Sequence, residues 1–540
     1  MRALLAVLAI ALTTTVASAS GQQTPASSYG EAVFVVSGRG WGHGVGMSQY
    51  GAYGQALAGR SYQQILGYYY SGTTIGKAGR KEVRVLLAEG RRAVTVSSTG
   101  PLTAVDATGA TYRLPKGPVT LHADLVIPVE AGPVTAASPL VIRPAKNALV
   151  ALDGRAYRGK LELVPQGEFV RVVNVVPLES YLQGVVAGEM PFGWPAAALE
   201  AQAVAARSYA LANLLKGKPY DLYSDVRSQV YLGVSGEKAS TTQAVAATAG
   251  QVVLYAGRIA TTYYFSTSGG KTASAEDVFG FSAPYLVSRP DPWDKLSPYH
   301  EWGPVLLGAR TVQSKLGLDA RVLDAAGTTT PSGRIRALVL ATTSGSESVP
   351  ASLVRTALGL RSTWISIGVL RLDRPIGGPI VFGSTTHLAG IGRGLGAPWL
   401  ASSPDGTSWS SVRTLTPDAA GAVASDVKPI RITRYRLEAA GGASPALLVE
   451  VAPRLALSRP APAEPTVLAG TVRPRLPGGV VAIERRKGTA WVTLGEATVD
   501  ASGRFRLPLD VAVPTGAYRA RISATDGLAA GTSPVLQVTG

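Results

Sequence analysis

Glu189 stands where a hydrophobic residue is expected. Leu178, Tyr181, Leu182, Val185 and Val186 fall at the i, i+3, i+4, i+7, i+8 spacing of one apolar helical stripe. Eleven residues at ~100° each bring Glu189 to within about 20° of Leu178, on that same stripe. Glu179 lies off the stripe and is expected in solvent. The next residues, Met190-Pro191-Phe192-Gly193-Trp194-Pro195, cannot continue a helix, because proline lacks the amide hydrogen and clashes with the preceding turn. A carboxyl at the apolar end of a helix, beside Phe192 and Trp194, loses hydration; this disfavours the charged form and raises the pKa. A carboxyl that keeps its proton near neutral pH can serve as a general acid. The same pattern also fits a helix that simply ends at Glu189 with the side chain in water.

Two helices must position this group. The first runs from Leu178 to Glu189. The second, Ala196 to Leu215, is rich in strong helix formers, and Pro195 suits its first turn. Its inner stripe is Leu199, Ala203, Ala206, Tyr209 and Ala210, with Gln202 and Arg207 near that face. Upstream, Ser37–Thr73 alternates glycine at 38, 40, 42, 44 and 46 around His43, so the backbone there can approach another segment closely. Ser48 can cap a helix that starts near Gln49, and a second short helix covers 61–69. A lone histidine in such a loop reads more readily as a backbone-bonded structural residue than as a metal ligand. Downstream, Ser266-Thr267-Ser268-Gly269-Gly270-Lys271-Thr272 follows a strand and can offer hydroxyls and amide hydrogens, or be a plain turn.

Composition bounds the rest. The 540 residues suffice for three or four domains, and 52 Lys+Arg against 35 Asp+Glu leave a net charge of +17. Residues 1–19 read as an export signal: Arg2, an apolar run too short to span a membrane, and Ala17-Ser18-Ala19 as cleavage site. The basic balance then points to an extracellular polyanion or to a solvated basic surface. No basic helix interleaved with aromatics argues for nucleic acid. The absence of cysteine excludes disulfides and thiolate chemistry.

Residues 80–176 read as a β-rich subdomain, with VRVLLA, AVTVSS, KLELVP and FVRVVNVV as strands between turn residues. Nineteen of the 21 tyrosines precede residue 300, and a flat apolar face with a polar tip suits sugar rings. The tail repeats itself at an offset of roughly 80 residues, Trp409 matching Trp491, Gly421 matching Gly503 and Tyr435-Arg436 matching Tyr518-Arg519. Short alternating strands in each copy predict two Ig-like β-sandwiches, 372–456 and 464–540, joined by a Pro-rich linker. The expected fold class is therefore an α+β catalytic domain (29–370, comprising 29–76, 80–176 and 177–370) followed by two all-β repeats.

YLQGVVAGEMPFGWPAAALEAQAVAARSYAL, SDVRSQVYLG, YYFSTSGGKT, ALGLRSTW and GHGVGMSQYGA together resemble the SpoIID/LytB family, sporulation stage II protein D and the amidase enhancer. The likeness covers about residues 30 to 370. It implies a lytic transglycosylase acting on peptidoglycan glycan strands, with the acid of the EMP motif, Glu189 here, as catalytic residue. Two features depart from the family pattern. GHGVGMSQ precedes the remaining motifs instead of following ALGLRST, as in a circular permutation. Phe265 stands near STSGG where some members carry zinc-binding cysteine, so neither metal nor cofactor is expected.

The implied mechanism needs one carboxyl. Glu189 would protonate the bond between MurNAc and GlcNAc, then deprotonate the muramic C6 hydroxyl, giving a 1,6-anhydro product, where ordinary glycosidases use two carboxylates. Dipoles and hydroxyls would stabilise the oxocarbenium-like charge. The expected substrate-binding set is Gln202, Arg207, Ser208, Tyr209, Gln229, Tyr231, Ser266, Thr267, Ser268, Gly269, His43 and Gln49. Arg207 suits orienting a carboxylate or N-acetyl group. The alternative is a non-catalytic wall-binding enhancer of an N-acetylmuramoyl-L-alanine amidase. Either way the expected protein is secreted and wall-associated, with a wall amidase as a further candidate partner and no membrane span.

Overall fold

The computed structural model describes residues 29–540 except Arg80, Ile376, Asp526 and Gly540. The expected leader, 1–19, lies outside the described residues. The chain is mixed α/β and rich in strands. It divides into two compact units: Phe34–Ile367, and Gly368–Gly540 with the described residues before Phe34. No described helix is long and apolar enough to cross a membrane.

The described residues of the Phe34–Ile367 unit hold eight α-helices: α1 Gln49–Leu57, α2 Tyr62–Tyr69, α3 Leu178–Glu189, α4 Ala196–Ala212, α5 Ala239–Ala247, α6 Ala275–Phe279, α7 Ala309–Leu316 and α8 Ala351–Leu358. Ser48 caps α1, its hydroxyl accepting from the Gly51 N–H. Ser61 and Gln64 make a reciprocal capping box on α2. α4 stops three residues before the expected end, at a non-helical Asn213. α6 and α7 carried no legible sequence pattern.

A seven-stranded sheet orders Leu222–Tyr223, Glu82–Arg91, Phe169–Pro177, Lys160–Gln166, Leu140–Pro144, Leu102–Val105 and Thr111–Arg113. The long strand Phe169–Pro177 runs directly into α3, so the sheet fixes where the helix starts. The stripe residues Leu178, Tyr181, Leu182, Val185 and Val186 are all buried in one core with strand residues such as Val83, Val85 and Val172. Each such side chain contributes on the order of 1.5–3 kcal/mol when fully buried. α4 is buried on most of its faces, its small Ala residues permitting close approach.

The glycine-rich segment closes onto the end of this unit. The Arg39 N–H donates to the Trp364 carbonyl at 2.9 Å, and the Gly42 N–H to the Arg361 carbonyl at 3.0 Å. Met47–Ser48 pairs in parallel with Tyr264–Phe265. The segment that is early in sequence thus sits beside the STSGG and ALGLRST stretches in space.

In the other unit, the matched residues of the tail do the same work in both copies. Asp418 accepts from the amides of Ala420 and Ala422, and Asp500 from those of Ser502 and Arg504. Arg436 stacks over Trp409 at 3.9 Å and Arg519 over Trp491 at 4.3 Å. In the second copy one core is shared by two sheets, with Leu468 and Phe505 from one and Ile483 and Tyr518 from the other.

Candidate active site

Glu189 is the last residue of α3, and Met190 after it is extended. The side chain does not turn to open water. Its Oε1 accepts from the Val230 N–H at 3.1 Å, and the Tyr264 hydroxyl lies near enough to favour the charged carboxylate. Burial pushes its pKa above the usual carboxylate range, while those two groups pull the other way. Tyr264 is itself aligned: Tyr181 donates to Gln229 Oε1 at 3.1 Å, and Gln229 Nε2 donates to the Tyr264 oxygen at 2.9 Å. A hydrogen-bonded chain of three side chains therefore leads to the Tyr264 hydroxyl beside the carboxyl.

The main-chain end of α3 is held too. Gln49, first residue of α1, donates to the Glu189 carbonyl at 2.8 Å and lies 3.4 Å from Gln202 Oε1. This satisfies one of the orphan carbonyls that every helix end leaves. Trp194 stacks on Tyr53 at 4.6 Å and meets Tyr50 edge-on at 4.9 Å. On another side Tyr209 meets Tyr263 at 5.7 Å and Tyr264 at 6.2 Å. The carboxyl is thus set among partly exposed aromatic rings.

The expected binding residues separate into two groups. Glu189, Gln49 and Tyr209 come together over the buried Gln202 and Gln229, with Ser266 tied in through the Tyr50 N–H, which donates to its carbonyl at 3.0 Å. Several others stand behind the wall. Arg207 is fully buried and forms a bidentate pair with Glu179, Nε to Oε1 at 3.0 Å and Nη2 to Oε2. It also donates to the Gln251 carbonyl at 3.0 Å, so it locks α4 to α3 instead of presenting donors to a ligand. Glu179 is correspondingly not a free solvent-facing residue, because α4 supplies the partner that the stripe of α3 alone cannot reveal. Ser208 donates to the Val204 carbonyl at 2.7 Å and accepts from the Val253 N–H at 2.8 Å, both inside the fold. Tyr231 is buried with its hydroxyl on Asn174 at 2.9 Å.

His43 bonds only backbone. Its Nδ1 accepts from the Val45 N–H at 3.1 Å, which leaves Nε2–H to donate to the Tyr264 carbonyl at 3.1 Å. Burial, aided by the charges of Arg355 and Arg334, lowers its pKa from 6.5 to about 4, so the ring is neutral.

Sequence reasoning missed a buried carboxyl pair under the serine–glycine loop. Asp294 accepts from the Ser48 hydroxyl at 3.0 Å, the Ser268 N–H at 2.7 Å and the Gly269 N–H at 2.8 Å. Its Oδ2 also faces His300 Nδ1 at 3.0 Å. Asp291 accepts from the Tyr69 hydroxyl at 3.0 Å. Burial and the neighbouring Asp294 raise the Asp291 pKa from 3.8 to about 7. One group thus ties the cap of α1 to the loop holding Thr267, Ser268 and Gly269. The available signal was two acids in the proline-bound DPWD stretch of a chain poor in acids. Close packing depends on Gly51: a Cβ there would lie 1.9 Å from the Tyr69 hydroxyl and 2.4 Å from Asp291 Oδ2.

The SpoIID family model, described as Stage II sporulation protein, matches residues 166–255, the span that carries α3, α4 and Glu189. Stage II sporulation protein D of Bacillus subtilis is 33% identical over 207 residues, 35% of this chain and 60% of the relative. Residues 166–255 therefore carry a SpoIID-family domain. A second relative named amidase enhancer, also from Bacillus subtilis, is 32% identical over 177 residues, 32% of this chain and 23% of that protein. An uncharacterised protein of Brachyspira hyodysenteriae is 39% identical over 161 residues, 28% of this chain and 44% of the relative. The chain spans less than two thirds of the length of the curated relatives it matches. Among solved structures, the human OSCAR ligand-binding domain aligns with 29% of this chain and 92% of its own length, at 14% identity and a TM-score of 0.14. A score that low carries no argument about fold.

Proposed function

We propose that this protein is a secreted, envelope-associated peptidoglycan lytic transglycosylase that uses Glu189 as its single acid–base residue. The observation that carries this reading is the Glu189 carboxyl itself: desolvated, so that burial raises its pKa, yet fixed by the Val230 N–H with the Tyr264 hydroxyl nearby. In the protonated state it donates to the glycosidic oxygen between MurNAc and GlcNAc. The resulting carboxylate, stabilised by that N–H and the nearby hydroxyl, then takes the proton of the C6 hydroxyl as that oxygen closes on C1 to give the 1,6-anhydro product. The aromatic rings around the carboxyl supply apolar faces for sugars. The all-β repeats, read as Ig-like sandwiches, serve as spacers or wall-binding modules.

The test is incubation of the purified chain with intact and with peptide-free glycan strands, with mass spectrometry of the products. Anhydro-terminated fragments from the native chain and none from Glu189→Gln are expected; full activity in the variant would refute the assignment. The identity with an amidase enhancer supports a second reading, a wall-binding protein that stimulates an amidase. On that reading the purified chain binds wall material, yields no anhydro products and raises the rate of added amidase.

A further inference from the structure

The glycine-rich segment and the ALGLRST stretch meet at a feature that the acid–base chemistry does not use. The Arg361 guanidinium stacks on the Tyr299 ring at 4.1 Å and on the Trp41 ring at 5.1 Å. Tyr299 and Trp41 themselves meet edge-on, 4.6 Å apart and at 88°. Trp41 is 40% exposed, unusually open for so large a ring. Main-chain bonds fix the cluster: the Arg361 carbonyl accepts from the Gly42 N–H at 3.0 Å and from Arg355 Nε at 3.1 Å. The guanidinium itself has no hydrogen-bond acceptor and no carboxylate among the described residues. Glu301, two residues from Tyr299, is taken by Arg39. Five N–H donors are therefore held in one orientation by two aromatic faces and left unspent.

The position of the cluster relates it to Glu189. Trp41 N donates to the Thr267 carbonyl at 2.8 Å, and Thr267 N to the Trp41 carbonyl at 3.0 Å. The preceding residue, Ser266, accepts from Tyr50, the neighbour of Gln49 that holds the end of α3. The serine–glycine loop thus has the carboxyl site on one side and Trp41 on the other.

The geometry points to Trp41, Tyr299 and Arg361 as a distal subsite for a sugar that carries a carboxylate, the open ring receiving the apolar sugar face and the guanidinium fork the acid group. This rests on the glycan reading above. A planar fork matches a carboxylate bidentately, and the flanking rings already restrict its rotation, so little ordering cost remains. Two sources share this chemistry: the lactyl acid of an unsubstituted muramic residue, and an acid of its stem peptide.

The test is calorimetric titration of the full chain carrying Glu189→Gln, which prevents turnover. Three probes are used: neutral chitotetraose, a GlcNAc–MurNAc tetrasaccharide with free carboxylates, and the same tetrasaccharide bearing stem peptides. A carboxylated probe is expected to bind roughly ten- to a hundredfold more tightly than chitotetraose, as one charge-assisted contact allows. Adding Arg361→Gln should bring that ratio to about one without moving the melting temperature, and Arg361→Lys should keep part of it. Trp41→Ala should weaken all three probes alike. Preference for the bare or the peptide-bearing probe identifies the source of the acid. Binding of chitotetraose with no carboxylate preference, or a preference that survives Arg361→Gln, overturns the subsite alone. Failure of every saccharide to bind overturns the glycan reading and the subsite with it.

Discussion

Gln49 donates to the main-chain carbonyl of Glu189 at 2.8 Å, across 140 positions of sequence. The end of α3 is thereby fastened by a residue from the glycine-rich segment. Gln49→Ala leaves that carbonyl unsatisfied and is expected to lower stability by about 1–2 kcal/mol. It should also lower kcat more than it raises KM, because the change falls on the aim of the carboxyl. Melting curves and steady-state kinetics on glycan strands check both; an unchanged kcat would sever Gln49 from the site.

The pH dependence of cleavage follows from Glu189. Only the protonated carboxyl can donate, so kcat/KM should fall as pH rises through its raised pKa. Glu189→Gln should lose about 10²–10⁴-fold in rate, the usual contribution of a positioned acid or base. It should not destabilise the fold at neutral pH, because a folded pKa above the unfolded one means stability is lost as pH rises through the folded value. A flat rate profile across the weakly acidic to neutral range would argue against the assignment.

The pH dependence of stability combines two opposed contributions. Asp291, raised to about 7, contributes stability that is complete below its unfolded value of 3.8 and lost as pH rises through about 7. His43, lowered to about 4, works the other way over nearly the same range: its contribution is present above 6.5 and lost as pH falls toward 4. Over that shared range the two offset each other, so thermal melts should change little on their account. Asp291→Asn should leave the His43 contribution uncovered, so that stability falls as pH drops from neutrality toward 4; an unaltered profile in the variant would show that Asp291 does not contribute.

Arg207 gives a contrasting prediction. Arg207→Ala removes one partner of a pair whose guanidinium is fully buried, at a cost of about 3 kcal/mol given that Glu179 keeps some solvent contact. Saccharide affinity of the surviving folded protein should be unchanged. Denaturant titration together with the calorimetric series separates the two effects.

The legibility of the sequence was uneven for physical reasons. Period-3.6 and period-2 patterns mark where a segment buries one face, and so α3, the start of α4 and the strands of the β-rich subdomain could be read directly. Glu189 stood out because it interrupts such a pattern. Glu179 was misread because its partner Arg207 comes from a second helix, and no local spacing encodes that meeting. Arg207 and Ser208 show that polarity does not mark exposure, because both spend their hydrogen bonds inside the fold. Asp291 and Asp294 were overlooked because their roles depend on Tyr69, Ser48 and the Ser268–Gly269 amides, which converge only after folding. Tyr264 was hidden among a surplus of tyrosines, and nothing local distinguished it from its neighbour Tyr263.

The hydrogen atom on Gly51 has a consequence for how this protein can change. With Tyr69 and Asp291 packed where any larger group would stand, position 51 offers no room for drift. A lineage could acquire a different residue there only after first giving up both the Tyr69 hydroxyl and the acid behind it. The order in which substitutions become permissible around this helix is therefore set by an atom that takes no part in the chemistry.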